Sequence, residues 1–372
     1  MIRVSQPVVG SDEFLAVKAA LERGYYGHAE RVIEFEERLR KYLGAPEVVC
    51  VCNGTAALHL ALAALDLQPG DEVLVPSLTF VSSFQAITAT GAQPICCDVR
   101  PDTLLVDLED AARKLTPRAR AIMPVHYAGN PCDMDGCLAF ARRAGLRVVE
   151  DAAHAFGSVY RGRKIGSFGD IVCFSFDSIK TITCGEGGAI VCHDAELAER
   201  LRRMRLLGIV RRSPPGASWK ERDWQYTVVG QGFRYHMSNL NAAIGLVQLA
   251  KVDAFIARRR EICRRYDAAL HHVKGIRCLS VDYADVAPHI YVVRVEGDLR
   301  DALMQRLKDH EIETGVNYVL NHLHPYFGQT GVRLPETEHA YREILTLPLH
   351  CALSDADVER VIEVICDFMG ER

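Results

Sequence analysis

Ile171-Val-Cys-Phe-Ser-Phe-Asp-Ser-Ile-Lys180-Thr-Ile-Thr-Cys-Gly-Glu-Gly-Gly-Ala-Ile190 sets one lysine between two apolar runs of strand type. Ser175 precedes Lys180 by five residues, and a glycine cluster follows it. Lysines are ordinarily solvated. One held between core strands calls for a use, and the commonest is an amine that attacks a carbonyl.

Working outward, Val148-Val-Glu-Asp-Ala-Ala-His154 is a second apolar run that ends in a carboxylate. Further strand candidates are Val48–Cys52, Glu72–Pro76, Pro94–Asp98, Ala121–Val125, Arg147–Asp151, Ile171–Phe176 and Ala189–Cys192. Helical patterns lie between them at Ala56–Leu65, Ser83–Ala89, Leu108–Leu115, Met134–Ala144 and Ala195–Leu207. Strand and helix alternating at this spacing predict an α/β fold with a large, doubly wound, mostly parallel sheet. Two helices, Asp12–Arg23 and Arg31–Leu43, precede it, stopping at Gly24 and Gly44.

Residues 207–233 read as a long surface excursion, with Pro214-Pro-Gly216, Trp219 and Trp224. A long helix, Asn239–Leu270, then leads into a smaller α+β unit with strands at Ile290–Val295 and Thr314–Leu320 and helices at Leu303–His310 and Asp355–Phe368. The expected division is 1–245 for the large domain and 246–372 for the small one.

Composition is that of an ordinary globular chain: 49% apolar, 25% charged, formal net charge −4. The one basic block, Arg258-Arg-Arg260, falls where a polar helix face is expected and reads as solvated, which argues against nucleic acid. Met1-Ile-Arg-Val-Ser-Gln-Pro7 has no signal pattern, and the apolar stretch Ala56–Leu67 is too short to span a bilayer. A cytoplasmic protein with no membrane contact is expected. The thirteen cysteines sit mostly inside apolar runs without Cys-x-x-Cys pairs. They read as reduced, buried hydrophobes, with no metal site.

Several pieces converge on one chemistry. Asn53-Gly-Thr-Ala-Ala57 joins a strand to an Ala/Leu-rich helix, and a helix start offers free N–H groups to a phosphate. Gly54 lets the backbone turn, and Thr55 adds a hydroxyl. Ser175 and Lys180 on one strand–loop segment reach opposite ends of one ring-shaped ligand. Asp151 at a strand's carboxyl end suits a protonated pyridine nitrogen. Phe80, in Pro76-Ser-Leu-Thr-Phe80, suits stacking on a ring. A lysine Schiff base with an aspartate on the ring nitrogen is how proteins hold pyridoxal 5'-phosphate, PLP. Taken singly, each residue has a plainer reading: Asn53 or Asp151 as a helix cap, His154 or Phe80 as core.

Taken together and in order, the set resembles the DegT/StrS-type sugar aminotransferases, within the fold-type-I PLP-dependent transferases. The resemblance adds Pro124-Val-His-Tyr-Ala-Gly-Asn-Pro-Cys-Asp-Met-Asp135, Gly185-Glu-Gly-Gly188, Met237-Ser-Asn-Leu-Asn-Ala-Ala-Ile-Gly245, Tyr318 with His322, and Leu345-Thr-Leu-Pro348. It implies Lys180 as the Schiff-base lysine, Asp151 as partner of the ring nitrogen, and His154 as the residue at the ring oxygen. It implies Gly54, Thr55, Ala56 and Ser175 as the phosphate cradle and Phe80 as the stacking aromatic. Tyr26, Tyr318 and His322 stand on the sugar side. It further implies a homodimer with shared sites, a nucleotide-linked keto-sugar as acceptor, glutamate as donor, and pyridoxamine 5'-phosphate between the half-reactions.

Departures from the family pattern lie around the substrate. Arg234, in Gly232-Phe-Arg-Tyr-His-Met237, replaces an asparagine that reaches the phosphate from the neighbouring subunit, and an arginine there can still pair with it. His236 replaces an arginine, Asn317 a histidine and Ala29 a glycine. Three other readings weigh less. Sugar dehydratases of the same family carry histidine where Lys180 stands. A nicotinamide-dependent Rossmann oxidoreductase requires a Gly-x-Gly-x-x-Gly turn between strand and helix, whereas Gly185-Glu-Gly-Gly188 leads into a strand. A catalytically silent PLP-binding regulator requires an added nucleic-acid module, for which neither end of the chain offers room.

Overall fold

The computed structural model describes residues 1–211, 226–328 and 331–371. The expectation for Pro214-Pro-Gly216, Trp219 and Trp224 lies outside the described residues. Ile209–Arg211 pairs antiparallel with Tyr226–Val228.

Seven strands form the large sheet: β1 (Glu47–Val51), β2 (Glu72–Pro76), β3 (Gln93–Cys97), β4 (Ala119–Ile122), β5 (Arg147–Asp151), β6 (Ile171–Ser175) and β7 (Gly188–Cys192). Their order is β1-β7-β6-β5-β4-β2-β3. All run parallel except β7, which is antiparallel to both neighbours. Such a sheet must be covered on both faces, so alternate residues of one strand enter different cores. Val172 and Phe174 of β6 join the core built on Phe35, Leu39, Phe140 and Ile256. Ile171 and Cys173 join the opposite core, built on Leu58, Leu60, Phe84 and Leu201. This two-sided demand is why the strands read as unbroken apolar runs.

The helices α1 (Ser11–Glu22), α2 (Glu30–Leu43), α3 (Gly54–Ala63), α4 (Val81–Thr88), α5 (Leu108–Arg113), α6 (Met134–Ala144) and α7 (Ala195–Met204) lie where the pattern placed them, to within a few residues. Helix α8 (Asn239–Leu270), capped by Ser238, runs unbroken across position 245. Its first half packs Ala242, Leu249 and Val252 on the large sheet. Its second half carries Ile262, Tyr266 and Leu270 into a separate core.

That core covers an antiparallel sheet of β8 (Ile276–Cys278), β9 (Tyr291–Val295) and β10 (Ile344–Leu347), flanked by α9 (Arg300–Asp309) and α11 (Asp355–Gly370). The helix α10 (Pro335–Glu343) leads into β10. One strand expectation is overturned. Thr314–Leu320 makes a single bridge, Gly315 with Thr346, and then leaves the sheet. The third strand is the fully buried Ile344-Leu-Thr-Leu347 instead. Asn317 does not extend the ladder; its side chain accepts from the Thr346 hydroxyl at 2.8 Å.

The reading of Arg258–Arg260 as a solvated face is also corrected. Arg259 is 3% exposed and donates to the carbonyls of His289 and Leu349 at 3.0 and 3.2 Å. A helix running between two cores has little free face, so even a charged side chain turns inward to unpaired carbonyls. By length and composition alone α8 contains one window apolar enough to cross a bilayer, mean hydropathy 1.4. It is tied into the fold by Gln248 and Lys251, both bonded to Glu13 of α1.

Candidate active site

The chemistry-bearing residues collect where the parallel strands end. Asp151 closes β5, Ser175 closes β6, Lys180 lies in the turn that follows, and Phe80 precedes α4 after β2. Crevices outside the carboxyl ends of such strands are where α/β sheets bind ligands.

One end of the crevice is the first turn of α3. Asn53 caps it by accepting from Ala56 N–H at 2.8 Å. The N–H groups of Gly54 and Thr55 keep no acceptor among the described residues. A Cβ on Gly54 would stand 2.8 Å from Ser175 Cβ and 3.0 Å from its Oγ. A Cβ on Gly188 would run into the Asn53 carbonyl. Only glycine lets β6, β7 and the helix start close around so small a cup. Thr55 Oγ1 meets Ser82 Oγ at 2.7 Å at its rim.

The other end holds the amine. Lys180 Nζ lies 3.3 Å from His289 Nε2. Burial pulls its pKa down to about 8, against the pull of the Asp151 and Asp177 carboxylates, which favour the charged form. Asp151 is 5% exposed. Its Oδ2 accepts from Ser83 Oγ at 2.7 Å, and its Oδ1 accepts from Ala153 N–H at 3.1 Å. His154 Nε2 meets the Tyr318 hydroxyl at 2.8 Å, and its ring stands 4.3 Å from that of His289. Burial and the nearby Lys180 charge hold His154 well below the ordinary histidine range, so it is neutral. Burial likewise pushes the Tyr318 phenol up. Phe80 is half exposed, with its ring 5.4 Å from that of Tyr318.

Lys180, Asp151, His154, Tyr318 and Phe80 thus share one crevice with Gly54, Thr55, Ala56 and Ser175. Other named residues sit elsewhere. His322 Nδ1 is 2.7 Å from Ser77 Oγ, and Asn321 Nδ2 donates to the Ser77 and Thr79 carbonyls. Together they clamp the turn that presents Phe80. Tyr26 lies between α1 and α2, its hydroxyl donating to Leu21 O, and none of its hydrogen bonds reaches the Lys180 group. Ala29 is the N-cap of α2. Arg234 is exposed and makes no ion pair among the described residues. His236 is pushed down by burial and by Arg234 and Arg205.

Two residues of the crevice escaped the sequence reading. His289 comes from the loop ahead of β9, and its only signal is a polar residue before an apolar strand. Ser83 reads as an ordinary residue of α4.

The arrangement fits a phosphorylated aromatic aldehyde. The cup at α3 offers unpaired N–H groups and two hydroxyls to an anion. The buried amine faces the crevice as a nucleophile, and the Asp151 carboxylate offers its charge to a ring nitrogen.

Residues 7–366 match the DegT/DnrJ/EryC1/StrS aminotransferase family. The spore coat polysaccharide biosynthesis protein SpsC of Bacillus subtilis (strain 168) is 38% identical, covering 98% of this chain and 96% of that protein. The aminotransferase TlmJ from Streptoalloteichus hindustanus superimposes with a TM-score of 0.93 at 39% identity over 100% of this chain and 99% of that one. The PLP-form of Spr1654 from Streptococcus pneumoniae gives a TM-score of 0.92 at 29% identity, covering 100% of this chain and 99% of that one.

Proposed function

The chain belongs to the DegT/DnrJ/EryC1/StrS aminotransferase family of PLP-dependent sugar aminotransferases, and from that premise we propose that it aminates a nucleotide-linked keto-sugar with glutamate as donor. The observation that carries the reading is a half-buried lysine, with its amine desolvated, facing an aspartate beyond a glycine–serine cup. PLP, when bound, supplies an aldehyde to which amines join and a ring that takes up electrons.

The chain's own residues do the rest. Lys180 Nζ holds the cofactor covalently until the donor amine displaces it. It then carries a proton as general base and acid. Asp151 keeps the ring nitrogen protonated by its charge, while Ser83 and Ala153 fix its carboxylate. Gly54, Thr55, Ala56 and Ser175 seat the phosphate. Neutral His154, oriented by Tyr318, offers a polar edge to the ring oxygen, and Phe80 covers the ring face. Tyr26, Tyr318 and His322 serve the sugar, His322 through the turn it holds. In a homodimer Arg234 reaches the neighbouring subunit's phosphate. The thirteen free thiols support a reducing, cytoplasmic setting.

A panel of keto-sugar nucleotides with 15N-amino glutamate, read by mass spectrometry, tests the reaction. One acceptor should gain the labelled amine. Label moving only into free keto-sugars would remove the nucleotide from the proposal, and transfer from another amino acid alone would remove glutamate.

Two variants test the seat. Gly54→Ala should lower PLP affinity at least about tenfold, because the new methyl group displaces Ser175 from the cup. Titration of the PLP-free protein by absorbance checks this, and unchanged affinity would place the phosphate elsewhere. For Arg234, Lys180→Ala and Arg234→Ala subunits are mixed. With a shared site, hybrids hold one site with both lesions and one with neither, so activity returns. Recovery no better than the parents' average, with hybrids verified, would confine Arg234 to its own subunit or to no site.

A further inference from the structure

We propose that His289 is a positioning residue for Lys180: its Nε2–H donates to the lone pair of Nζ, favouring the neutral form of the free amine and holding it in place. The inference rests on the reading of Lys180 as the amine that holds PLP.

The contact is specific. Nε2 lies 3.3 Å from Nζ, and the His289 ring is 3% exposed. The residue is tied down along its backbone. Its N–H donates to Ala128 O at 3.1 Å, and its carbonyl accepts from the buried Arg259 guanidinium at 3.0 Å. The loop before β9 thus delivers an imidazole from the smaller sheet's unit to the amine beside the larger sheet.

The other ring nitrogen decides the direction of the bond. His289 Nδ1 is buried and has no hydrogen-bond partner among the described residues. An N–H buried without an acceptor is the rarer and costlier orphan, whereas an idle lone pair is tolerated more often. The ring therefore keeps its proton on Nε2 and leaves Nδ1 bare. Nε2–H can then meet only a neutral amine. A charged Lys180 would need Nε2 as an acceptor, which forces the proton onto the unpartnered Nδ1. A second positive charge on the ring itself is opposed by burial, Lys180 and Arg259. His154, packed 4.3 Å away, is neutral for the same reason and cannot relieve it. The groups facing Nζ that favour its charged form are Asp151 at the end of β5 and Asp177 in the turn after β6. His289 acts against both. Holding a lysine amine neutral makes it nucleophilic when free, and ready to take a proton once the donor has displaced it.

The test uses the full chain freed of PLP. Capture of added PLP is followed by the growth of its visible band across pH, and borohydride reduction with peptide mass mapping identifies the lysine. The wild type should capture PLP on Lys180 with a midpoint near 8. His289→Phe keeps the ring volume and the dryness but removes the donor. Its midpoint should rise by about one unit, so capture at pH 7 slows about tenfold. His289→Gln, which returns an N–H near the Nε2 position, should restore the wild-type midpoint. Should the Phe variant not fold, as read by circular dichroism, His289→Leu takes its place. A midpoint in the apolar variant that stays or falls would overturn the inference. So would a Gln variant displaced as far as the apolar one. Wild-type capture on a lysine other than Lys180 would instead overturn the reading of the site itself.

Discussion

Lys180→Ala is expected to fold, to bind PLP without covalent attachment, and to lose at least about a thousandfold in turnover. Folding survives because the one hydrogen bond of the Lys180 amine among the described residues is to the His289 ring, and the strands on either side carry the core without it. The phosphate cup is untouched, so PLP is still seated. Two functions vanish together: the covalent hold, and the group that carries the proton between donor and cofactor. Proton transfer by a positioned side chain alone is worth about a hundred- to ten-thousandfold. Steady-state assay and single-turnover absorbance check the loss, and turnover like the wild type's would end the mechanism.

The same variant carries a stability signature. The folded value of Lys180 lies below that of the unfolded chain. Between about 8 and the ordinary lysine value the unfolded PLP-free chain binds more protons. Its stability therefore rises with pH across that window, and the deficit is fully present below it. Lys180→Ala should flatten this rise in denaturant titrations.

Asp151→Asn is the second large effect. The amide keeps an oxygen for Ala153 N–H, and Ser83 can redirect its hydroxyl, so the local fold holds. What is lost is the charge. An amide cannot keep a ring nitrogen protonated, and the donor carbon then has no sink for its electrons. Turnover should fall by about a hundredfold or more, roughly 2.7 kcal/mol of barrier, while PLP remains attached. A loss under about tenfold would leave Asp151 a structural acceptor for Ser83 and Ala153 and nothing else.

How much of this was legible depended on sequence distance. Strands buried on both faces print themselves as apolar runs, so Arg147–Asp151 and Ile171–Ser175 were readable to within a residue, and with them the positions of Asp151 and Ser175. The strand Ile276–Cys278 was not, because three residues cannot show a period, and neither was the helix Pro335–Glu343, whose polar start Glu336-Thr-Glu-His339 carries no apolar stripe. Thr314–Leu320 looked like a strand, but it leaves its sheet after Gly315, bends at Asn317 and brings the Tyr318 hydroxyl to His154. No local pattern announces such a departure. His289 touches Lys180 across 109 positions of chain, and only the packing of the smaller sheet's unit against the crevice reveals it. Arg259 misled for a similar reason: a basic run on a helix reads as solvent-facing until the second core closes over it.

The central claim is that Lys180 is the amine to which PLP is joined. Borohydride reduction of the PLP-loaded wild type, followed by proteolysis and mass mapping, measures this directly. One pyridoxyl group per chain is expected, on the peptide that carries Lys180, released from attachment when glutamate is added before reduction. A pyridoxyl group on any other lysine, or none on a protein that still shows the visible band, would contradict it.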